Sequence, residues 1–460
     1  VSPEALPDGK TETEKNEGQG SPLRMPEVPG PFPGLAGAPF APSPEPEIRW
    51  TTVGPGTVGL LILATFGGAM ALMVPMSFTL ALQLNALAPG HEELLGYTIG
   101  IGAVFSLVAS PLTGILSDRT RSRWGRRRPF TLAGLVAGLL ATPIMAFAPD
   151  PAILTAGWVL STVGWGTAVG SIGNYQADRL PPHQRGKVSA LTVMTMHVAP
   201  VAGILLVGLV SKNSFWVFAV PSLIGTLCVA SFIVFVKEAD TRGTVCPEPL
   251  SLRRFLASFV FNPRQERDFA WTWLGRFVFF FGLSLTMSFS TFLYAQRLGI
   301  DVSEVASVVA VIAAASVASA VLGSLGSGWL SDRWARRRPF IMAATVLFAL
   351  GASVTAFAND LISLVAGTLV SSLGIAIFSA VGQALVLDVM PHRETQAGRF
   401  MAITGFAQKI PAALAPFAAT LLLSLTVVDG DKNYTLLYLS SGAFALVGGI
   451  ITVLAVRSVR

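Results

Sequence analysis

Charge is what this sequence lacks. Only 13% of its 460 residues are Asp, Glu, Lys or Arg, against about 25% in soluble globular proteins. Hydrophobic residues make up 52% and the mean hydropathy is +0.62. Too little polar surface remains to cover a protein of this size in water, which excludes a soluble enzyme. Cysteine is nearly missing: Cys228 lies in an apolar run and Cys246 in a polar loop, so there is no disulfide framework. The four histidines (His91, His183, His197, His392) are scattered and none has metal-ligand spacing with another, so neither a metal nor a cofactor is expected. A G-x-x-x-x-G-K-[ST] run is also missing, which argues against ATP-driven pumping by this chain.

What the chain does have is long apolar sequence. A hydrocarbon core about 30 Å thick needs roughly 20 apolar residues of helix. Polar punctuation divides the chain into twelve such spans, near 56–87, 92–117, 130–149, 152–179, 187–211, 214–236, 268–296, 303–331, 340–358, 360–388, 397–427 and 433–456. Most joints are short, as in Pro149-Asp150-Pro151. The expected fold class is therefore all-α and integral to the membrane, with twelve transmembrane helices in two six-helix bundles, 50–236 and 268–460, joined by a linker, 237–267. Residues 1–49 are of another kind, with eleven prolines, six glycines, eight acidic and four basic residues. Such a segment buries too little apolar surface to offset its chain entropy and reads as a disordered tail. It has no basic start before an apolar core, so it does not read as a secretory signal.

The placement of Lys and Arg gives an orientation. Of 32, 23 fall in the even-to-odd joints, the linker and the C-terminal end, and three (Lys212, Arg297, Lys432) fall on the other side. That bias predicts a multi-pass protein with both termini cytoplasmic. It also predicts attraction of anionic lipids to the cytoplasmic face, and explains the net charge of +6 without nucleic acid. Arginine exceeds lysine 25 to 7, which suggests a high-GC bacterium and its inner membrane. The expected partners are a small-molecule substrate and protons, and the expected oligomeric state is monomeric.

The two halves repeat. Gly114-Ile-Leu-Ser-Asp118-Arg119, followed by Gly125-Arg126-Arg127-Arg128-Pro129-Phe130, recurs as Gly328-Trp-Leu-Ser-Asp332-Arg333, followed by Arg336-Arg337-Arg338-Pro339-Phe340. Asp178-Arg-Leu-Pro181 recurs as Asp388-Val-Met-Pro391. Parallel repeats of six spans describe a secondary transporter. These same residues resemble the 2–3 loop signature of the major facilitator superfamily. The fuller run through Arg128-Pro129-Phe130 is similar to the glycoside–pentoside–hexuronide:cation symporter and plant sucrose transporter branch. The resemblance covers about residues 50–460. It implies alternating access by two rocking bundles, with Asp118, Arg119, Gly125, Arg126, Asp332, Arg333 and Arg336 as gating residues. Asp178 and Asp388 would latch the 4–5 and 10–11 loops. Physically, a helix-end carboxylate such as Asp118 or Asp332 can face a helix N-terminus of the other half or pair with a loop arginine.

Ionisable groups at membrane depth are functional candidates by default. Lys409 lies twelve residues into its span, about 18 Å at 1.5 Å per residue. His197 is its counterpart 212 residues earlier, and a proline follows each, at Pro200 and Pro411. Either group could carry a proton, since burial moves both toward neutral titration. Arg276 lies eight residues past Asp268, near Trp271 and Trp273, so it is expected to snorkel to the head groups and is a weaker candidate. A sugar site needs an aromatic platform and amide or hydroxyl partners, for which Trp165, Asn174, Gln176 and Gln383 are candidates. Deep carboxylates, usual in cation-coupled sugar carriers of the resembling family, are missing from spans one, two and five. Sugar:proton symport therefore competes with a positive cavity for an anion, or with export of an amphipathic or organic-anion compound. A non-transporting receptor or scaffold is the reading from another class. An intramembrane enzyme has no nucleophile–base or metal constellation to support it.

Overall fold

The computed structural model describes residues 52–210, 213–243, 261–334, 336–391, 393–425, 427–428 and 431–456. The Pro-rich tail 1–49 and the middle of the linker, 244–260, lie outside the described residues. Among those described, twelve helices are long and apolar enough to cross a bilayer. They are α1 (Pro55–Leu87), α2 (Glu93–Arg119), α3 (Arg128–Ala146), α4 (Pro151–Arg179), α5 (Pro182–Gly208) and α6 (Ser214–Phe235) in the first half. The second half holds α7 (Arg267–Met287), α8 (Ala306–Trp334), α9 (Arg338–Phe357), α10 (Leu361–Asp388), α11 (Arg393–Leu425) and α12 (Tyr434–Ala455). A two-residue antiparallel pairing, Val427–Val428 with Asp431–Lys432, joins α11 to α12.

Local chemistry accounts for the helix ends. Pro151 opens α4 where its missing N–H costs nothing, and the Asp150 carboxylate accepts from the backbone N–H groups of Ala152 and Ile153. Asp360 caps α10 in the same way through Ser363 N–H at 2.9 Å. Two spans are irregular, the first through proline. At Pro75, α1 widens into a π-helical turn over Pro75–Thr79, since proline donates no bond to the helix ladder. The span expected as continuous over 268–296 instead stops at Met287 and resumes as a short helix, Ser290–Leu298, closed by Gly299 at φ +63°.

Glycine sets the closest helix contacts. A Cβ at Gly164 of α4 would come within 2.5 Å of the Gly138 backbone of α3, and one at Gly351 of α9 within 2.4 Å of the Ser371 backbone of α10. Gly157 is similarly tight against Met145, at 2.8 Å. Gly170 and Gly173 of the same α4 face open space.

The buried apolar clusters are unequal along the helix axes. At the end away from the Arg-rich loops, one cluster runs through both halves, including Val74, Leu95, Trp158 and Ile204 with Phe289, Val305, Leu423 and Tyr434. Toward the Arg-rich end the clusters separate: one lies wholly in the first half, around Leu61, Trp165, Tyr175 and Phe232, and two wholly in the second, around Phe279 and Phe378 and around Phe269 and Phe400. The halves therefore share a core at one end only. They meet mainly where α2 packs on α11 and α5 on α8.

Candidate functional site

The Arg-rich loops hold the first group of candidates. After α2 ends, Gly125 adopts φ +84°, a left-handed turn that favours glycine. The chain then turns back and brings the next three arginines against the ends of α2, α4 and α6. Arg127 is 5% exposed. Its guanidinium meets Asp118 at 2.6 Å and Asp178 at 2.9 Å, and donates to Ser117 Oγ at 2.8 Å. Arg126 pairs with Asp178 at 2.8 Å, and Arg128 donates to the Ile233 carbonyl at the end of α6. Burial alone would lower the Arg127 pKa, but the hydrogen bond and charge of Asp178, with the charge of Asp118, hold it above its ordinary value.

The second half repeats the arrangement. Arg337 meets Asp332 at 2.5 Å and Asp388 at 3.2 Å and donates to Ser331 Oγ at 2.8 Å, while Arg338 donates to the Val456 carbonyl. Burial again opposes, and Asp332 and Asp388 again outweigh it, so the Arg337 pKa is also raised. Of the two options open to the helix-end carboxylates, Asp118 and Asp332 take the loop arginine, each within its own half. The central arginine of each cluster is Arg127 or Arg337, whereas Arg336 is exposed with no ion pair among the described residues. Arg333 lies over the Trp329 ring at 5.3 Å, and Arg119 borders a cleft of about 390 Å³ together with Asp118, Arg126 and Asp178.

Sequence reasoning missed Glu238. Its Oε2 accepts from the backbone N–H groups of Arg127 and Arg128 at 2.9 and 3.2 Å, so this carboxylate faces the N-terminal end of α3. A Cβ on Gly125 would lie 2.3 Å from it. The available signal was a glutamate just past span six, at the start of a linker with more basic than acidic residues.

Deep in the helices, Lys409 Nζ donates to Ser110 Oγ of α2 at 3.2 Å, across the two halves. His197 is exposed and stands eleven residues, three helical turns, before Gly208, whose surface meets Ala306 of α8. That spacing puts it on the face of α5 turned to the second half. Lys409 and His197 thus border different seams. Arg276 is corrected: it does not snorkel. It is 8% exposed, stacks on the Phe280 ring at 5.2 Å, and its Nε and Nη1 have no hydrogen-bond partner among the described residues.

The proposed sugar-site group is not brought together. Trp165 is 1% exposed and fills the notches at Gly138 and Gly225, so it offers no open ring face in this conformation. Gln176 is tied to Ser189 and Thr192 of α5. Asn174 is half-buried on α4. Gln383 Nε2 lies 3.5 Å from Met401 Sδ, which places it beside α11.

A further polar group closes the opposite end. Lys432 pairs with Glu93 at 2.9 Å, Tyr434 hydroxyl bonds Glu92, and Thr420 Oγ1 donates to the Glu93 carbonyl at 3.1 Å. Thr291 Oγ1 donates to the Ser77 carbonyl at 2.8 Å. Each contact joins the first half to the second.

Comparison with known proteins agrees with this architecture. The model of the Major Facilitator Superfamily matches residues 57–327 and 272–460. Among curated relatives, a sucrose transport protein of rice is 36% identical over 106 residues, covering 22% of this chain and 19% of its own. An uncharacterized symporter of Synechocystis is 41% identical over 71 residues, 15% of this chain and 13% of its own. Human solute carrier family 45 member 3 is 28% identical over 217 residues, 42% of this chain and 39% of its own. The chain thus spans well under half the length of these relatives. Among solved structures, the nucleoside transporter NupG superposes at a TM-score of 0.70, with 12% identity, covering 87% of this chain and 100% of that one. A bacterial homologue of the lysosomal transporter Spinster, in an inward-facing and unoccupied conformation, superposes at 0.66 with 15% identity over 88% of this chain and 97% of that one. At these identities the likeness is one of fold.

Proposed function

The chain belongs to the major facilitator superfamily of transporters, and on that premise we propose that it carries a sugar or glycoside together with protons by alternating access. Two bodies, 50–236 and 268–460, rock about a site at mid-depth. The observation that carries the reading is the uneven core: a cluster shared by both halves at one end and separate clusters at the other. A carrier sealed on one side and parted on the other has that distribution. The bias of Lys and Arg supports a cytoplasmic Arg-rich end, so the conformation is open to the cytoplasm. A bacterial inner membrane fits the excess of arginine over lysine. The rice sucrose transport protein and the repeated Arg-Arg-Arg-Pro-Phe loop support sugar as cargo.

Coupling falls to Lys409. Its bond to Ser110 crosses a seam that must open and close, so gain or loss of its proton alters a contact between the moving bodies. His197 is the second proton site on the other seam. The test is uptake of a sugar panel into proteoliposomes, with and without an acid exterior. We expect accumulation driven by the proton gradient in the wild type and gradient-independent equilibration in Lys409→Ala. Sugar uptake indifferent both to the gradient and to Lys409→Ala would sink the coupling mechanism. Failure of every sugar to move would sink the cargo.

A further inference from the structure

Among the described residues of the second half, Arg276 is the buried cation with no counter-charge, set between α7 and α10. Its residue surface is 8% exposed, and Nε and Nη1 have no hydrogen-bond partner among the described residues. The Phe280 face at 5.2 Å offers a cation–π contact, which offsets only part of the cost of burying a guanidinium. Across from it lies Gly382 of α10, where a Cβ would be 3.4 Å from Nη1. That Cβ would also touch the Phe378 ring at 3.8 Å, so a larger side chain there would press on the guanidinium. Carboxylates of α7 and α10 stand at the helix ends: Asp268 is eight residues from Arg276, and Asp388 is six from Gly382.

Lys409 stands close in height. Trp273 Nε1 donates to the Ile403 carbonyl at 2.9 Å, which fixes the register of α7 against α11. From that level Arg276 is three residues further along α7 and Lys409 six along α11, a difference of about 4.5 Å at 1.5 Å per residue. Gln383, next to Gly382, reaches Met401 of the same α11. Two cations at similar height and an amide therefore lie on three adjoining helices, whose sequences carry no Asp or Glu at that depth. We infer that Arg276, with Lys409 and Gln383, forms an anion subsite that takes a carboxylate on the transported solute. This rests on the reading of the protein as a solute carrier with its site between the halves, and narrows the cargo to acidic molecules, acidic sugars if the sugar reading holds.

The test uses the full chain in detergent and two matched probe pairs, each differing in one carboxylate: 4-nitrophenyl glucuronide against 4-nitrophenyl glucoside, and benzoate against benzamide. Equilibrium binding should favour the glucuronide about tenfold or more, as charge-assisted hydrogen bonds do. Arg276→Gln should erase the preference. Gly382→Val, which crowds the guanidinium without removing it, should weaken glucuronide binding while leaving the glucoside unchanged. The empty protein supplies a readout free of any ligand: its melting midpoint should rise in Arg276→Gln, because an unpaired buried charge is removed. Preference for benzoate over benzamide with neither glycoside bound supports the anion subsite and overturns the sugar reading. Equal binding within both pairs overturns the subsite and spares the sugar reading if the glycosides bind. A lowered midpoint in Arg276→Gln marks a structural arginine and also overturns the subsite, and binding of none of the four probes overturns both.

Discussion

The two Arg–Asp clusters are an internal pair of experiments, because the same motif is buried to different depths. The Arg127 side chain is 6% exposed, its partners Asp118 and Asp178 are 52% and 26% exposed, and Arg126 adds a second bond to Asp178. The Arg337 side chain is 16% exposed, with Asp332 and Asp388 at 68% and 38%. Breaking a buried ion pair costs about 3–5 kcal/mol, and the solvent access of both carboxylates puts Arg127→Gln at about 3 kcal/mol, the low end of that range. The Arg337 pairs are closer to the surface case, so Arg337→Gln should cost about 1 kcal/mol. The difference, about 2 kcal/mol, corresponds to roughly a thirtyfold change in the folding equilibrium. Melting midpoints of purified protein followed by tryptophan fluorescence should rank wild type above Arg337→Gln and Arg337→Gln well above Arg127→Gln. Equal losses, or a larger loss in Arg337→Gln, would show that burial does not set the strength of these clusters.

Gly125→Ala should destabilise by about 1–3 kcal/mol from its left-handed backbone alone, and should also displace the Glu238 carboxylate; a melting midpoint within error of wild type would contradict the close approach. Gly96→Val should loosen the seal between halves, because a Cβ there would lie 1.9 Å from Thr420 Oγ1 and 2.7 Å from the Pro416 carbonyl. Maleimide should then label a reporter, Ser77→Cys in a background without Cys228 and Cys246, several-fold faster; an unchanged rate would mean the seal tolerates the side chain. The Asp360 carboxylate is held below the usual range by the N–H and hydroxyl of Ser363. Its capping contribution is thus complete above the ordinary carboxylate pKa and vanishes as pH falls through the lower folded value. Asp360→Ala should lower the melting midpoint at neutral pH, and the gap should close below about pH 4; a gap independent of pH would rule out the carboxylate as its source.

Helix number, approximate ends and the repeat could be read from residue types because each is a local property. Twenty apolar residues fill a bilayer wherever they occur, and Asp150-Pro151 opens a helix whatever packs on it. Pairing could not be read that way. Arg126, Arg127 and Arg128 are chemically alike in sequence, and only the turn at Gly125 decides which one enters the cluster. Arg276 reads as an interfacial residue from its distance to Asp268 and the nearby tryptophans, yet its direction depends on a glycine more than a hundred residues away in α10. Trp165 fails as a ring platform for the same reason: the notches that hold it belong to Gly138 and Gly225, on other helices. Glu238 was legible only as an acid in a basic loop, and its role depends on how the chain returns to α3.

The placement of charge bears on how such a molecule can move. Both Arg–Asp clusters, and the arginine bonds to the carbonyls of Ile233 and Val456, stay inside one half. They join the ends of three or four helices of the same bundle, so they brace each half without resisting its rotation against the other. Fewer contacts cross: one amine on a hydroxyl at depth, and at the far end the ion pair Lys432–Glu93 and a few hydrogen bonds over apolar packing around Gly96 and Phe289. Hydrogen bonds of this sort contribute about 0.5–1.5 kcal/mol each, and water or another partner can replace them when the seam opens. Rigid halves joined by exchangeable contacts allow the seal to move from one end to the other with little net change in energy. Among the described residues the Lys432–Glu93 ion pair crosses the seam, and it favours the state sealed at that end. The interior cations Lys409 and Arg276 should be the groups that sense cargo, since neither has an ion pair among the described residues.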